Sequence, residues 1–240
     1  MIAGRPEFSC GMATIGFIGS GKIGGTVARL AAAAGYEVVL SNSRGPQTLH
    51  DLAAEIGPLA RAGTAEQAAE QGDIVVVAVP LRAYRDVPPA PVAGKTVIDA
   101  NNYYPARDGH ISELDTATVT SSELLQQHLA GARVVKAFNN IYYRHLLALA
   151  RPQGAPDRSG LLIAADDPAA RTAATAFLDA IGYDAVESGT LAQSWRQEPG
   201  SAVYGGVYGP FDNEAGTPIA AAALRARIDE VRPPAGDAAR

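Results

Sequence analysis

The stretch TIGFIGSGKIG, residues 14–24, determines the expected fold. Its first five residues have the apolar character of a β-strand, and apolar side chains repeat at helical spacing from Ile23 onward. Glycines at positions 19, 21 and 24 lie between the two patterns in the spacing Gly-x-Gly-x-x-Gly. In a strand–turn–helix unit the first glycine permits a tight turn, the second admits a ligand to the backbone, and the third lets helix and strand pack closely.

This motif predicts a turn that binds the pyrophosphate of a dinucleotide, because the free N–H groups at a helix N-terminus attract phosphate. The candidate cofactor-binding residues here are Gly19, Ser20, Gly21, Lys22, Ile23 and Gly24. The alternative is a glycine-rich turn without a ligand. That alternative leaves Gly25 unexplained, since a glycine inside a helix costs about 1 kcal/mol relative to alanine.

The end of the second predicted strand, Glu37–Leu40, distinguishes between cofactors. Sites for NAD(H) place Asp or Glu there to bind the ribose 2′-hydroxyl, whereas this chain continues with Ser41, Asn42, Ser43 and Arg44. Asn42 and Ser43 can donate hydrogen bonds, and Arg44 can form a charge-assisted pair with a 2′-phosphate. The sequence therefore predicts that the cofactor is NADP(H). The alternative is that Arg44 is a solvated turn residue.

Strand and helix patterns alternate through most of the chain. Further strands are predicted at Ile74–Val79, Thr96–Asp99 and Val134–Phe138, and the continuous apolar run of the first of these indicates a strand covered on both faces. We therefore predict an α/β fold, a Rossmann-type doubly wound parallel sheet over residues 13–150. A smaller C-terminal α/β part is predicted over residues 151–231, either extending the sheet or forming a second lobe. Residues 1–12 and 232–240 are expected to be disordered.

Composition excludes several classes of protein. Of the 240 residues, 47% are hydrophobic and the formal net charge is −5, which disfavours nucleic-acid binding. A single cysteine, Cys10, rules out an internal disulfide and a cysteine-clustered metal site, and no metal site is expected. No apolar run approaches the roughly 20 residues of a membrane span, and no signal peptide is recognised. A cytoplasmic protein without membrane contact is the resulting expectation.

With GSGKIG at 19–24, SNSRGP at 41–46 and KAFNN at 136–140, the chain resembles the coenzyme F420-dependent NADP oxidoreductase family. The resemblance runs from about Thr14 to Ala150 and more loosely to the end. It implies hydride exchange between NADP(H) and an 8-hydroxy-5-deazaflavin, coenzyme F420. It also implies that residues 20–23 bind the phosphates and that Ser43 and Arg44 bind the 2′-phosphate. By the same resemblance, Val79 and Pro80 end the strand under the nicotinamide ribose, and the segment Ala137–Asn139 ends the strand beside the nicotinamide.

Paired asparagines follow two predicted strands. Asn101 and Asn102 come after Thr96–Asp99, and Asn139 and Asn140 come after the KAF run. Ligands of open α/β sheets bind beyond the carboxyl ends of the strands, so we expect these amides to bind a carboxamide, a carbonyl or a flavin-like ring edge. The neighbouring tyrosines at positions 103, 104, 142 and 143 could form flat walls. The alternative is that these are ordinary loop residues facing water.

No general acid or base is evident in the sequence. His50 and His128 are interpreted as solvated, while His110 and His145 lack a sequence partner. Lys136 is interpreted as a surface lysine beside a strand. Trp195, Tyr204 and Tyr208 in a C-terminal loop could fill the same cleft. Hydride transfer between a nicotinamide and a deazaflavin requires alignment more than proton transfer, which suits this residue set.

Three functions remain open from the sequence. The first is an NADP(H)-linked oxidoreductase with a small-molecule, flavin-like acceptor, for which coenzyme F420 is the first choice. The second is an NADPH-dependent reductase of an imine, a carbonyl or a ferric chelate. The third is a non-enzymatic NADP-binding sensor or scaffold. A homodimer is expected, because the apolar, Tyr-rich C-terminal part exceeds what one small lobe can bury.

Overall fold

A computed structural model describes residues 13–231, and the disorder predicted for residues 1–12 and 232–240 lies outside this range. The strands are β1 (Thr14–Ile18), β2 (Glu37–Ser41), β3 (Ala60–Ala62), β4 (Ile74–Val77), β5 (Thr96–Asp99), β6 (Arg133–Lys136), β7 (Gly160–Ala165) and β8 (Asp184–Gly189). The helices are α1 (Lys22–Ala33), α2 (His50–Ile56), α3 (Ala65–Gln71), α4 (Pro105–Asp108), α5 (Ser112–Asp115), α6 (Ser121–His128), α7 (Tyr143–Ala148), α8 (Pro168–Ala180) and α9 (Ala221–Glu230).

The strands form one sheet in the order β3-β2-β1-β4-β5-β6-β7-β8. The first six strands are parallel, and their order 3-2-1-4-5-6 is that of the Rossmann fold. The predicted doubly wound α/β sheet is therefore confirmed. Its strand order reverses between β1 and β4, which is where such sheets bind their ligands.

The C-terminal part continues this sheet. β7 pairs antiparallel to β6, with Val135 opposite Ala165 and Lys136 opposite Ala164, and β8 is parallel to β7. Of the two arrangements that the sequence left open, the structure has the extended sheet. The domain boundary placed near residue 150 stays a prediction.

Two strands end earlier than their apolar runs suggest. β4 stops at Val77 because the N–H of Val79 donates to the Asn101 side chain at 2.8 Å, and because Pro80 has no N–H to pair. β6 stops at Lys136, two residues before Phe138, whose φ of 62° is incompatible with a strand. Both early ends lie at the carboxyl edge of the sheet, where they free backbone to shape a site.

Some short elements were not predicted. β3 carries no clear strand pattern, and the connection Asn101–Asp115 contains the short helices α4 and α5. The segment after Pro46 begins with a 3-10 turn before α2. None of the helices described in residues 13–231 is both long and apolar enough to cross a membrane.

The contact between β1 and α3 yields a test of the fold. A Cβ atom at Gly16 would lie 1.9 Å from the Ala68 carbonyl oxygen, so Gly16→Ala should lower the free energy of unfolding by at least about 1–3 kcal/mol. In a chain of this size, roughly 2–4 °C of Tm is lost per kcal/mol. Gly206→Ala is the control, since a Cβ there meets nothing within 4 Å. Equal Tm values for the two variants in thermal unfolding would contradict this packing.

Candidate functional site

The glycine turn between β1 and α1 contains two glycines that the fold itself requires. Gly19 has φ of 97°, and a Cβ there would lie 2.3 Å from the Ala78 carbonyl oxygen. A Cβ at Gly24 would lie 2.0 Å from the Gly19 carbonyl oxygen. Both positions therefore need glycine so that the turn, β4 and α1 can approach each other.

Gly21 differs, because nothing in the fold requires a glycine there. Its φ of −78° is ordinary, and a Cβ atom would meet nothing within 4 Å. It precedes α1 without a side-chain cap, and the first helical turn contains no acid. Free N–H groups, a positive helix end and room beside the backbone fit a dinucleotide pyrophosphate.

The loop after β2 forms a tight turn around Arg44. The Asn42 side chain accepts a hydrogen bond from the Arg44 N–H at 2.9 Å and donates one to Thr48 at 2.9 Å. Ser43 and Arg44 are exposed, and none of the ion pairs found in residues 13–231 involves Arg44. The exposed guanidinium is thus available to an anionic ligand.

Two cavities meet at Ala78–Pro80, the segment following β4. The glycine-loop cavity has a volume of about 410 Å³ and is lined by residues that include Gly19–Gly21 and Asn42–Arg44. The asparagine cavity has a volume of about 360 Å³, and its lining includes the four predicted asparagines. Because both share Ala78, Val79 and Pro80, they form one cleft across the switch point of the sheet.

Asn101 is anchored at the junction of these cavities by three of its four polar groups. Its N–H donates to Asp99 Oδ1 at 2.9 Å, its carbonyl accepts from Lys136 Nζ at 2.6 Å, and its Oδ1 accepts from the Val79 N–H at 2.8 Å. Its Nδ2 is buried without a partner in the described structure. A buried amide donor left unpaired costs about 1–3 kcal/mol, so this atom suits a ligand carbonyl.

The position of Lys136 in the structure differs from the position that the sequence predicted. The prediction of a surface lysine is wrong, because the side chains of Lys136 and Asp99 are both fully buried and lie 3.2 Å apart. The other two Lys136 donors go to Asn101 O at 2.6 Å and to Ser121 Oγ at 3.0 Å. Ser122 donates to Asp99 Oδ2 at 2.7 Å. All three ammonium hydrogens are thereby used within the protein.

The four asparagines line one cavity, as their positions after the strands predicted. The amide of Asn139 is fully used by the protein: its Nδ2 donates to Asn102 Oδ1 and Gln197 O, and its Oδ1 accepts from Gln197. Asn140 donates to Val203 O at 3.2 Å, while its Oδ1 is buried without a partner among the described residues. Asn101 and Asn140 thus retain the unsatisfied amide atoms.

Tyrosines form part of the cavity wall, although not all of the expected ones. Tyr104, Tyr142 and Tyr143 line it, whereas the Tyr103 hydroxyl hydrogen-bonds to Asp115 outside the cavity. Of the C-terminal aromatic residues, Tyr204 lines the cavity and hydrogen-bonds to Tyr104. Tyr208 is fully buried in the core, and Trp195 does not belong to the lining.

Charged side chains surround the same wall. The Lys22 ammonium lies 5.3 Å from the centre of the Tyr143 ring, and the Arg144 guanidinium donates to the Tyr143 hydroxyl at 2.9 Å. The Arg144 hydrogen bond and then the one with Tyr142 lower the pKa of the Tyr143 phenol. Burial and then the hydrogen bond with Tyr104 raise the pKa of the Tyr204 phenol, which keeps Tyr204 neutral at ordinary pH.

The histidines do not supply an acid or base to the cavity. His110 is exposed and bonded to Asp115, His128 bonds to Val87 O, and buried His145 bonds to Asn213 O. His50 is exposed. Within residues 13–231 there is also no group of three or more His, Cys, Asp or Glu side chains that could hold a metal ion.

Most predicted site residues come together, with two exceptions. Gly24 lies behind the turn, and Ala137 is fully buried and lines neither cavity. Arg107, Gly205 and Phe211 also line the asparagine cavity, although no sequence pattern predicted them there. Gly205 and Phe211 lie well beyond the end of β8 in sequence, Arg107 lies in the connection after β5, and no motif marked any of them.

Comparisons with known proteins agree with this geometry. Residues 14–103 match the family described as NADP oxidoreductase, coenzyme F420-dependent, which confirms the predicted resemblance over that stretch. A curated relative from Escherichia coli (strain K12), named YjhV, is 38% identical over 53 residues. That match covers 22% of this chain and 39% of the relative's length.

Two solved structures share the fold. The crystal structure of the hypothetical protein SMa0349 from Sinorhizobium meliloti is 29% identical, with a TM-score of 0.69 over 82% of this chain and 94% of that one. A protein from Arthrobacter sp. FB24, provisionally named an F420-dependent NADP reductase, is 23% identical with a TM-score of 0.64. That match covers 78% of this chain and 88% of the Arthrobacter chain, and at this identity it supports the fold alone.

The open space at Gly21 gives a test that separates binding from folding. Gly21→Ala should leave the free energy of unfolding within about 1 kcal/mol, because the added methyl group meets no atom. The same methyl group should weaken NADPH binding at least about tenfold by occupying the phosphate approach. Thermal unfolding and fluorescence titration measure the two effects.

Gly24→Ala is the matched control, since its Cβ would lie 2.0 Å from the Gly19 carbonyl oxygen. It should lower stability and NADPH affinity together. Undiminished NADPH affinity in Gly21→Ala would show that the phosphates bind elsewhere.

Arg44 gives a test of cofactor choice. Arg44→Ala should remove a charge-assisted hydrogen bond of about 1.5–3 kcal/mol, weakening NADPH about 10- to 150-fold. NADH binding should be unchanged, because NADH lacks the 2′-phosphate. Arg227→Ala, at an exposed position in the last turn of α9, is the control. Equal losses of both cofactors would assign Arg44 a structural role.

Proposed function

We propose that this chain transfers hydride between NADPH and a planar, flavin-like acceptor. Its residues 14–103 match a family of NADP-dependent oxidoreductases. The deazaflavin coenzyme F420 is the first candidate. The observation that carries the proposal is the asparagine cavity, which opens from the cofactor cleft at Ala78–Pro80 and is lined by Asn101 and Asn140, whose amides each have one atom without a partner in the described structure. The family description names the same acceptor.

The dimensions of the cleft support two ligands placed end to end. A volume of about 360 Å³ lies within the usual range for small-molecule pockets. The glycine turn and Arg44 are suited to the phosphates of NADPH, so that the nicotinamide lies near Ala78–Pro80. A second ring in the asparagine cavity would then contact the tyrosines at positions 104, 142, 143 and 204.

The polar groups of this cavity complement an amide-like edge. Asn101 Nδ2 is an unpaired donor and Asn140 Oδ1 an unpaired acceptor in the described structure. A ligand edge carrying a carbonyl beside an N–H satisfies both types of group. The uracil-like edge of a flavin or deazaflavin has this pattern, and so does the carboxamide of a nicotinamide.

NADPH, when bound, would supply the hydride, and the protein would align the two reacting rings and shield them from water. Asn101 cannot shift without breaking its three bonds to Asp99, Lys136 and Val79. The Asn101 amide is therefore held at a fixed place beside Ala78–Pro80. The loop around Tyr204 and Gly205 covers the cavity from the C-terminal part.

A second function, reduction of a carbonyl or imine, is favoured by one observation. Such substrates need a positioned proton donor, and the hydroxyls of Tyr104 and Tyr204 line the cavity as a hydrogen-bonded pair. A ferric chelate reductase and a non-enzymatic NADP sensor have no comparable supporting feature.

The remaining expectations stay proposals. We propose a cytoplasmic homodimer that acts on a small molecule and does not bind nucleic acid or membranes. Size-exclusion chromatography with light scattering measures the oligomeric state directly.

The acceptor is identified by mixing the protein with NADPH and oxidised deazaflavin and following the deazaflavin absorbance. Saturable bleaching is expected. Asn101→Ala should lower the rate, because it removes the anchored donor, whereas His110→Ala should not, since His110 is 82% exposed and bonded to Asp115. An unchanged NADPH dissociation constant in Asn101→Ala would place the effect on the acceptor.

Two outcomes contradict the proposal. Turnover of imines or carbonyls without deazaflavin bleaching would favour the second function. NADPH binding without turnover of any acceptor would favour a sensor.

A further inference from the structure

Tyr104 and Tyr204 form a hydroxyl pair at the wall of the asparagine cavity. Their phenolic oxygens are hydrogen-bonded to each other, and Asn102 Nδ2 donates to the Tyr204 oxygen at 3.3 Å. Tyr104 comes from the segment after β5, and Tyr204 comes from the loop after β8. The pair exists only because the C-terminal part folds back over the end of the sheet.

The two phenols have one more hydrogen than their mutual hydrogen bond uses. Two phenols have two hydrogens, and their mutual bond uses one of them, whichever oxygen is the donor. The bond from Asn102 uses acceptor capacity alone. Within residues 13–231 neither phenol has another acceptor, so one O–H is left without a protein partner beside the cavity.

A guanidinium beside the pair, itself paired with Asp108, offsets part of the rise that burial imposes on the pKa of Tyr204. The Arg107 guanidinium lies 4.9 Å from the centre of the Tyr104 ring and is fixed by bonds of 2.8 Å to Asp108 and 2.7 Å to Asn102 O. A cation at this distance stabilises a phenolate when it forms. Burial raises the pKa of the Tyr204 phenol, so its hydrogen is present to be given.

We propose that the Tyr104–Tyr204 pair donates a proton to the acceptor, which restricts the acceptor to molecules that gain a proton together with the hydride. This inference rests on the proposed function. The acceptor gains two electrons and one hydrogen as hydride from the nicotinamide, and a heteroatom of the acceptor forms a bond to the phenolic hydrogen as the O–H bond breaks. The remaining phenolic O–H then donates a hydrogen bond to the phenolate that has formed. A proton from water restores the lost phenolic hydrogen.

The decisive variant is the double change Tyr104→Phe with Tyr204→Phe, which removes both hydroxyls and keeps both rings. We expect the single-turnover rate of acceptor reduction to fall on the order of 100-fold or more, as for loss of a general acid. The single variants should lose less, because each leaves one free phenolic hydrogen. Tyr36→Phe is the control, since Tyr36 packs against Phe177 away from the cavity.

Binding supplies a readout besides activity. The affinity of oxidised deazaflavin for the complex with NADP+, where no hydride is available, should fall by less than about tenfold in the double variant, because one neutral hydrogen bond is lost. Its NADPH affinity should be unchanged. The wild-type rate should show a solvent deuterium isotope effect that the double variant reduces.

A double variant that retains the wild-type rate and isotope effect would overturn the proton-donor assignment and leave the proposed function standing. If the wild-type protein neither binds nor reduces deazaflavin, the proposed function fails. The same variants are then assayed with a cyclic imine, where a comparable loss of rate supports the assignment. Turnover of neither acceptor overturns both proposals.

Discussion

A buried ion pair between Lys136 and Asp99 holds together the edge of the sheet at which the two cavities meet. Moving two charges into a protein interior costs several kcal/mol per ion, and only good geometry with further hydrogen bonds offsets that cost. Here each charged group binds a different backbone atom of Asn101, and Ser121 and Ser122 complete the set. The pair therefore constrains Asn101 as much as it joins β5 to β6.

The constraint passes from Asn101 to the cleft. Asn101 Oδ1 accepts the N–H of Val79, which ends β4 and directs Ala78–Pro80 along the cleft floor. Loss of one partner of such a pair typically costs about 3–5 kcal/mol, because the other charge stays buried. Because breaking the ion pair costs this much free energy, the position of the Asn101 side chain at the site is strongly fixed.

The C-terminal part closes the site because its first strand, β7, pairs antiparallel to β6. The chain then returns over the carboxyl end of the sheet and bonds to the asparagines there. Gly205 N–H donates to Asn140 O at 2.8 Å, and Gln197 exchanges hydrogen bonds with Asn139. Asn139 is therefore best understood as the link between the Rossmann part and its cover, while Asn101 retains the free donor.

Local patterns predicted the glycine loop, the loop after β2 and the asparagines that follow two of the strands. Gly19 and Gly21 were identifiable because the residues of the turn are adjacent in sequence. Arg44 was identifiable because no acid follows β2. Lys136 was misread because a lysine in a strand has no sequence mark of burial; its partner Asp99 lies 37 residues away. The two residues of the Tyr104–Tyr204 pair are 100 positions apart in sequence. Their contact depends on the antiparallel pairing of β6 and β7, which no sequence pattern predicted.

The distribution of charge along the cleft completes the argument for two different ligands. At the glycine-loop end an exposed arginine has no carboxylate partner in the described range, which suits a phosphate. At the other end Arg107 is paired with Asp108, and the exposed Lys22 lies over the ring of Tyr143 without an ion pair among the described residues. Among the uncharged groups there, two amide atoms and one phenolic hydrogen lack a partner in the described structure, and such groups recognise neutral polar atoms. We therefore expect the ligand portion beside these amides to carry a neutral polar edge, such as a ring carbonyl or a ring nitrogen.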